Sequence, residues 1–272
     1  MAQSPEISAE LVRRLIVKQF PHWAELAIEP ILPGGWDNRS FRLGNTMIAR
    51  LPSADSYVSQ VEKEQRWLPR LAPQIPVAIP EPLALGQPDR GFPWPWSVYR
   101  WIEGQPATVG AIADLEDFAA ALGNVLTALQ RVDSSDGPAP GAHNFHRGGS
   151  LCIYDAQVRT ALAKLSDSID SDTATQIWDT ALASQWDGPA RWVHGDIAPG
   201  NLLVRDGKLA AIIDFGCCAV GDPACDLAIA WQFFEVGARD RFRGQFETDD
   251  ACWARGCGWA LWKALIVLAE LP

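Results

Sequence analysis

Residues 192–216 read WVHGDIAPGNLLVRDGKLAAIIDFG, and this stretch decides how the rest of the chain is read. Two short β-prone runs, 201–204 and 209–213, flank Asp206-Gly207. An Asp-Gly pair between such runs is the strongest short-range hairpin signal, because a two-residue turn of this kind needs positive φ at both centres. Outward from the hairpin the chain turns helical, with periodic apolar positions over 112–132, 151–165, 173–186, 226–237 and 249–270. Gly104-Gln105-Pro106 marks a boundary, and the character before it is different. Residues 8–20 form a first helix with Ser8 as N-cap and Pro21 closing it, and 28–51 supply two or three antiparallel strands around Gly34-Gly35. Residues 57–71 return to helical spacing, with Val61, Leu68 and Leu71 on one face, Glu64 near the middle, and Pro69 set to kink or end the helix. Proline-broken extended runs follow, the last of them at 96–102. The expected architecture is α+β in two parts. Residues 1–103 hold an antiparallel sheet with one key helix, and 104–272 are mainly helical around the hairpin.

Composition narrows the function. With 48% hydrophobic residues in 272 the chain fills a core, and its 20 Pro and 22 Gly follow no repeat, so disordered and fibrous classes are excluded. No apolar run approaches the roughly 18 residues of a membrane span, and the first residues carry no basic segment followed by an apolar one. A soluble, cytoplasmic protein is expected. The six cysteines form no C-x-x-C pair and read as free thiols in a reducing compartment. A net charge of −10 argues against nucleic-acid and anionic-membrane partners. Residues 1–103 balance 11 acidic against 11 basic side chains, whereas 104–272 carry 22 against 12.

Chemistry-bearing groups gather at both ends of the hairpin: His194-Gly195-Asp196 and Asn201 before it, Asp214-Phe215-Gly216 after it. A carboxylate and a carboxamide five residues apart on one loop face a common point, and the hairpin returns a second carboxylate to the same end. Phosphoryl transfer uses this set: one carboxylate positions or deprotonates the attacking hydroxyl, and hard oxygens hold Mg²⁺ on the nucleotide phosphates. Glycines at 195 and 216 are expected to let backbone come close to those phosphates. The bland reading of the neighbours is structural. His194 is bonded to nearby backbone, Asp222-Pro223 caps a helix, Asp226 turns back to hold the loop, and Cys217 and Cys218 fill the core. Of the 13 tryptophans, Trp231, Trp253, Trp259 and Trp262 read as core packing, and Trp94 and Trp96 as braces between the parts.

His194-Gly195-Asp196-x4-Asn201, then Ile213-Asp214-Phe215-Gly216, then Gly221-Asp222-Pro223-x2-Asp226-Leu227 resembles the aminoglycoside phosphotransferase family, which shares the two-lobed fold of the protein kinases. The resemblance implies a nucleotide-binding lobe at 1–103 and a catalytic and acceptor-binding lobe at 104–272. Asp196 is then the base, and Asn201 and Asp214 ligate Mg²⁺. Gly35, Asn38 and Ser40 belong to a loop over the phosphates, Arg50 contacts them, and Glu64 orients Arg50. Tyr99 is the gatekeeper, narrowing the base pocket, and the backbones of Arg100 and Ile102 face the base of ATP or GTP. The implied reaction moves the γ-phosphoryl group to a hydroxyl of a small molecule, with an aminoglycoside leading. A macrolide or a neutral metabolite is the alternative acceptor. A pseudokinase is disfavoured by intact Asp196, Asn201 and Asp214. The acidic excess of 104–272, with 167–172, Asp249 and Asp250 as candidates, would draw a polycationic acceptor. Two departures stand out. Arg50 stands where kinases carry lysine, presenting a planar fork in place of a point donor. The chain ends at Leu271-Pro272 soon after a Trp-rich helix, which by the resemblance implies that a helix of the acceptor site is absent.

Overall fold

The Ser8 hydroxyl accepts the Leu11 N–H at 3.3 Å and so starts α1 (Ala9–Gln19), whose apolar positions Leu11, Val12, Leu15 and Ile16 are all buried. They pack on a five-stranded antiparallel sheet in the order β1 (Ile28–Pro30), β2 (Asn38–Leu43), β3 (Met47–Pro52), β5 (Trp96–Arg100), β4 (Pro82–Gly86). Phe41, Leu43, Ala49, Leu51, Phe92, Trp96 and Val98 complete this core, with Trp94 packed against it. Trp94 and Trp96 thus belong to the core of this unit. α2 (Val58–Leu71) buries Val61, Glu64, Trp67, Leu68 and Leu71. It runs two residues past Pro69 into a 3₁₀ turn at Ala72–Gln74, so the proline marks the last turn and does not break the helix.

The computed structural model describes residues 6–271 and resolves them into two units. The first comprises the residues up to Gly104 together with Ala211–Gly216. The second comprises Gln105–Ala210 together with the residues from Cys217 on. Segment 211–216 therefore packs with the first unit, where the sequence division at 103/104 put it in the second. Ala211 bridges Ala78, and the Ile212 N–H donates to the Ala78 carbonyl at 3.1 Å.

The second unit carries β6 (Gln105–Pro106), α3 (Leu115–Arg131), α4 (Asp155–Lys164), α5 (Ser171–Leu182), β7 (Arg191–Val193), β8 (Leu202–Arg205), β9 (Lys208–Ile212, whose last two residues join the first unit), β10 (Ala219–Gly221), α6 (Ile229–Gln232), α7 (Val236–Arg243) and α8 (Asp250–Leu268). Asp114, Asp170 and Asp249 cap α3, α5 and α8 by accepting backbone N–H groups. The single helix expected over 226–237 is instead a 3₁₀ segment at Pro223–Ala228, then α6 and α7. Arg239 stabilises the break: its guanidinium donates to the carbonyls of Ala230 (2.8 Å) and Phe234 (3.2 Å), groups that a continuous helix would have used itself. Among the described residues no helix is long and apolar enough to cross a membrane.

The hairpin β8–β9 turns at Asp206 and Gly207, with φ of 53° and 74°, the paired positive values of the expected turn. The Gly207 carbonyl accepts the Ala113 N–H at 3.0 Å, and a Cβ at 207 would press on Ala113. Gly207→Ala is expected to cost about 1–2 kcal/mol, read as a lower urea midpoint at unchanged m.

Candidate functional site

Arg50 projects from β3 toward α2. Its Nη1 lies 3.4 Å from both Glu64 carboxylate oxygens, and its Nη2 donates to Asp214 Oδ1 at 2.7 Å. Tyr99, on the neighbouring strand, donates its hydroxyl to Glu64 Oε2. These four residues, all of the first unit, form one cluster: a cation held between two carboxylates, one of them fixed by a phenol. A guanidinium serves both carboxylates from separate nitrogens, which a lysine ammonium does with less directional control. Burial opposes the charge on Arg50, but Asp214 and Glu64 outweigh it and keep the group protonated. Burial, reinforced by Glu64, pushes the Tyr99 phenol well above its usual range, so it is a donor throughout the physiological range. Asp214 sits at φ 69°, a left-handed conformation that costs a non-glycine residue about 1 kcal/mol and that the bond to Arg50 helps to hold.

The remaining nucleotide-side candidates lie outside this cluster. Asn38 and Ser40 are strand residues of β2, opposite Pro52 and Arg50, and not part of a loop. The Gly35 carbonyl accepts from Arg39 Nη1 at 2.5 Å, and no protein atom crowds the place of its missing Cβ. Arg100 pairs its side chain with Glu81, and its N–H donates to the Glu81 carbonyl at 2.9 Å. The Arg100 N–H is thus not available to a base, while the Ile102 N–H has no protein acceptor among the described residues.

In the second unit the loop 194–201 is tied down from several sides. The Asp226 carboxylate accepts the His194 N–H (2.7 Å) and the Gly195 N–H (2.8 Å), the back-bonding expected from the sequence. His194 is fully buried and its Nδ1 accepts the Asp196 N–H at 3.2 Å, a structural role. Gly195 has φ 83°, and a Cβ there would strike the Cys217 carbonyl; at Gly216 it would strike the Gln60 amide. Both glycines are therefore demanded by contacts within the protein. Asn201 Nδ2 donates to the Asp196 carbonyl (2.9 Å) and to Asp196 Oδ2 (3.2 Å), which leaves Asn201 Oδ1 with no donor among the described residues.

The other Asp196 oxygen, Oδ1, lies 2.9 Å from Lys263 Nζ on α8. Burial alone would raise the Asp196 carboxyl; Lys263, with His194 and Arg147, outweighs it and holds the group below the usual carboxylate range. It is ionised at neutral pH. Lys263 escaped the sequence reading because its helix reads as Trp-rich packing. The available signal was that Lys263 is the one charged residue between Arg255 and Glu270. Trp259 and Trp262 are indeed buried, with the Arg147 guanidinium over both rings and Tyr154 4.1 Å from Trp262. Asp222 likewise is structural: it caps Ala224 and takes a buried Arg255 guanidinium at 2.8 Å. Three of the acidic residues nominated for a polycation have local partners. Asp170 and Asp249 are helix caps, and Asp250 pairs with Arg243.

The arrangement supplies, in one unit, a rigidly held cation beside a carboxylate and, in the other, an ionised carboxylate with both oxygens engaged. A model of the phosphotransferase enzyme family matches residues 29–259. Among curated proteins, aminoglycoside 3'-phosphotransferase of Escherichia coli is 33% identical over 82 residues, covering 29% of this chain and 30% of that relative, so the match spans less than a third of its length. Among solved structures, the GDP complex of wild-type aminoglycoside 2'-phosphotransferase-IIIa superposes with a TM-score of 0.75 at 20% identity, covering 97% of this chain and 92% of that one. Macrolide 2'-phosphotransferase MphH from Brachybacterium faecium gives 0.64 at 21%, covering 96% and 93%. These likenesses carry the fold, and it is the kinase-like α+β fold expected from the motifs.

Proposed function

Because the chain belongs to the phosphotransferase enzyme family, we propose that it transfers the γ-phosphoryl group of a nucleoside triphosphate to a hydroxyl of a small molecule. The observation that carries this reading is the ionised Asp196 carboxylate, fixed by Asn201 and Lys263 on a loop whose backbone N–H groups are clamped by Asp226. In this reading Asp196 accepts a hydrogen bond from the acceptor hydroxyl and takes its proton as the new O–P bond forms and the β,γ-bridging P–O bond breaks, leaving the diphosphate. A carboxylate held below its usual range is a weak base. It therefore orients the hydroxyl first and receives the proton late.

Arg50 offers its guanidinium to the nucleotide phosphates, with Glu64 and Tyr99 fixing its direction. Each unit offers a hard oxygen of the kind Mg²⁺ prefers: the Asp214 oxygen not engaged by Arg50 in the first and Asn201 Oδ1 in the second, both without protein donors among the described residues. An ion held by such oxygens would neutralise phosphate charge. Glu64→Gln keeps a partner for the Tyr99 hydroxyl but removes the charge that anchors Arg50. The expected result is about a tenfold weaker Kd for Mg·AMP-PNP, the loss of one charge-assisted hydrogen bond, measured by calorimetry.

Aminoglycosides are the first acceptors to test, since relatives of known structure include a complex with kanamycin. Macrolides and neutral polyols belong beside them. The local pairing of Asp170, Asp249 and Asp250 leaves these carboxylates poorly suited to recruit a polycation. The test is a coupled assay of ADP or GDP release with Mg·ATP or Mg·GTP over that panel. Turnover with any hydroxylated acceptor supports the reading, and failure to bind Mg·nucleotide overturns it.

A further inference from the structure

Lys263 reaches Asp196 across 67 residues of sequence, and everything around it is fixed. Two turns earlier on α8, Arg255 is locked into its buried ion pair with Asp222. One turn earlier Trp259 packs under Arg147, and next to the lysine Trp262 donates its ring N–H to Gln157 Oε1 at 2.7 Å. The lysine side chain is itself only 20% exposed, so its ammonium is not a mobile surface charge. With Oδ2 engaged by Asn201 and Oδ1 by Lys263, the plane of the Asp196 carboxylate is set from both sides.

Building on the phosphotransferase reading, we propose that Lys263 is a positioning residue of the transfer reaction. It fixes the Asp196 carboxylate toward the acceptor hydroxyl and offsets its negative charge against the approaching phosphoryl group. It touches neither nucleotide nor acceptor; its effect passes through Asp196. One consequence concerns the acceptor, since an ammonium group on it that approaches Oδ1 would compete with Lys263.

The experiment compares wild type, Lys263→Met and Lys263→Arg, alone and in an Asp196→Ala background. It measures phosphate release from Mg·ATP to water and transfer to the best acceptor of the panel, with Mg·AMP-PNP affinity and Tm followed in parallel. The methionine variant is expected to lose about tenfold to a hundredfold in kcat, the scale set by a misplaced catalytic group, with KM for ATP and AMP-PNP affinity within about twofold. Arginine, which can still donate to Oδ1, restores most of the loss. In the Asp196→Ala background the methionine change has no further effect, because the group it acts through is gone. An unchanged kcat overturns the inference. So does a fall in kcat that follows Tm and nucleotide affinity and is not restored by arginine, and so does an equal loss in the Asp196→Ala background. Wild type that binds Mg·nucleotide but transfers to no acceptor, water included, also counts against it, whereas wild type that fails to bind Mg·nucleotide strikes the phosphotransferase reading itself.

Discussion

Asp196→Ala is expected to lower phosphoryl transfer by about 10³-fold while Mg·nucleotide affinity stays within about twofold of wild type. The selectivity follows from where the carboxylate's bonds go. Asp196 is tied to Asn201 and Lys263, and neither of those bonds reaches the Arg50, Glu64 and Asp214 cluster. Truncation removes the group that orients the hydroxyl, and the phosphate-side cation and its carboxylates are untouched. Asp196→Asn separates orientation from proton acceptance. Its carbonyl oxygen still accepts from Lys263 or Asn201, but no carboxylate remains to take the proton, so kcat falls nearly as far as in the alanine variant. The measurement is steady-state kinetics on each variant with calorimetric titration of Mg·AMP-PNP. Equal loss of turnover and nucleotide affinity would show that Asp196 serves the nucleotide, and would sink the assignment as base.

The features legible in the sequence were local ones. The Asp206-Gly207 turn, the Ser8 cap and the Asp222-Pro223 cap depend on a few neighbouring residues, and each has its expected geometry. Asp226 was legible through the Gly221-Asp222-Pro223-x2-Asp226 motif and not from its neighbours, since the N–H groups it holds lie 32 and 31 residues earlier. Three kinds of feature were not. The break between α6 and α7 depends on Arg239 reaching back to carbonyls five and nine residues earlier, which periodicity does not register. The need for glycine at 195 and 216 within the protein comes from the Cys217 carbonyl and the Gln60 amide, groups 22 and 156 residues away that no local pattern announces. Lys263 and Arg255 act through partners 67 and 33 residues away, and only the packing of α8 brings those pairs together.

Arg255 carries the largest stability effect expected in the chain. Its Nε lies 2.8 Å from Asp222 Oδ2, both side chains are below a tenth exposed, and Nη1 donates to Ser184 Oγ at 3.0 Å. Arg255→Met leaves Asp222 as an unpaired buried carboxylate and is expected to cost about 3–5 kcal/mol. Asp222→Asn in the same background removes that charge while its side-chain carbonyl still accepts the Ala224 N–H, so the cap survives. The double variant should therefore recover most of the loss, to within about 1–2 kcal/mol of wild type, because desolvating two charges offsets most of what their attraction returns. The effect has a functional reach. Asp222 opens the 3₁₀ segment that presents Asp226, and Asp226 holds the His194 and Gly195 N–H groups of the loop that carries Asp196. Arg255→Met should accordingly lose activity at a lower temperature than the double variant does. Urea unfolding at fixed m, run with an activity-temperature series on both variants, measures the two effects together. A double variant no more stable than the single would mean that Arg255 stabilises α8 by packing alone, with the Asp222 charge contributing nothing.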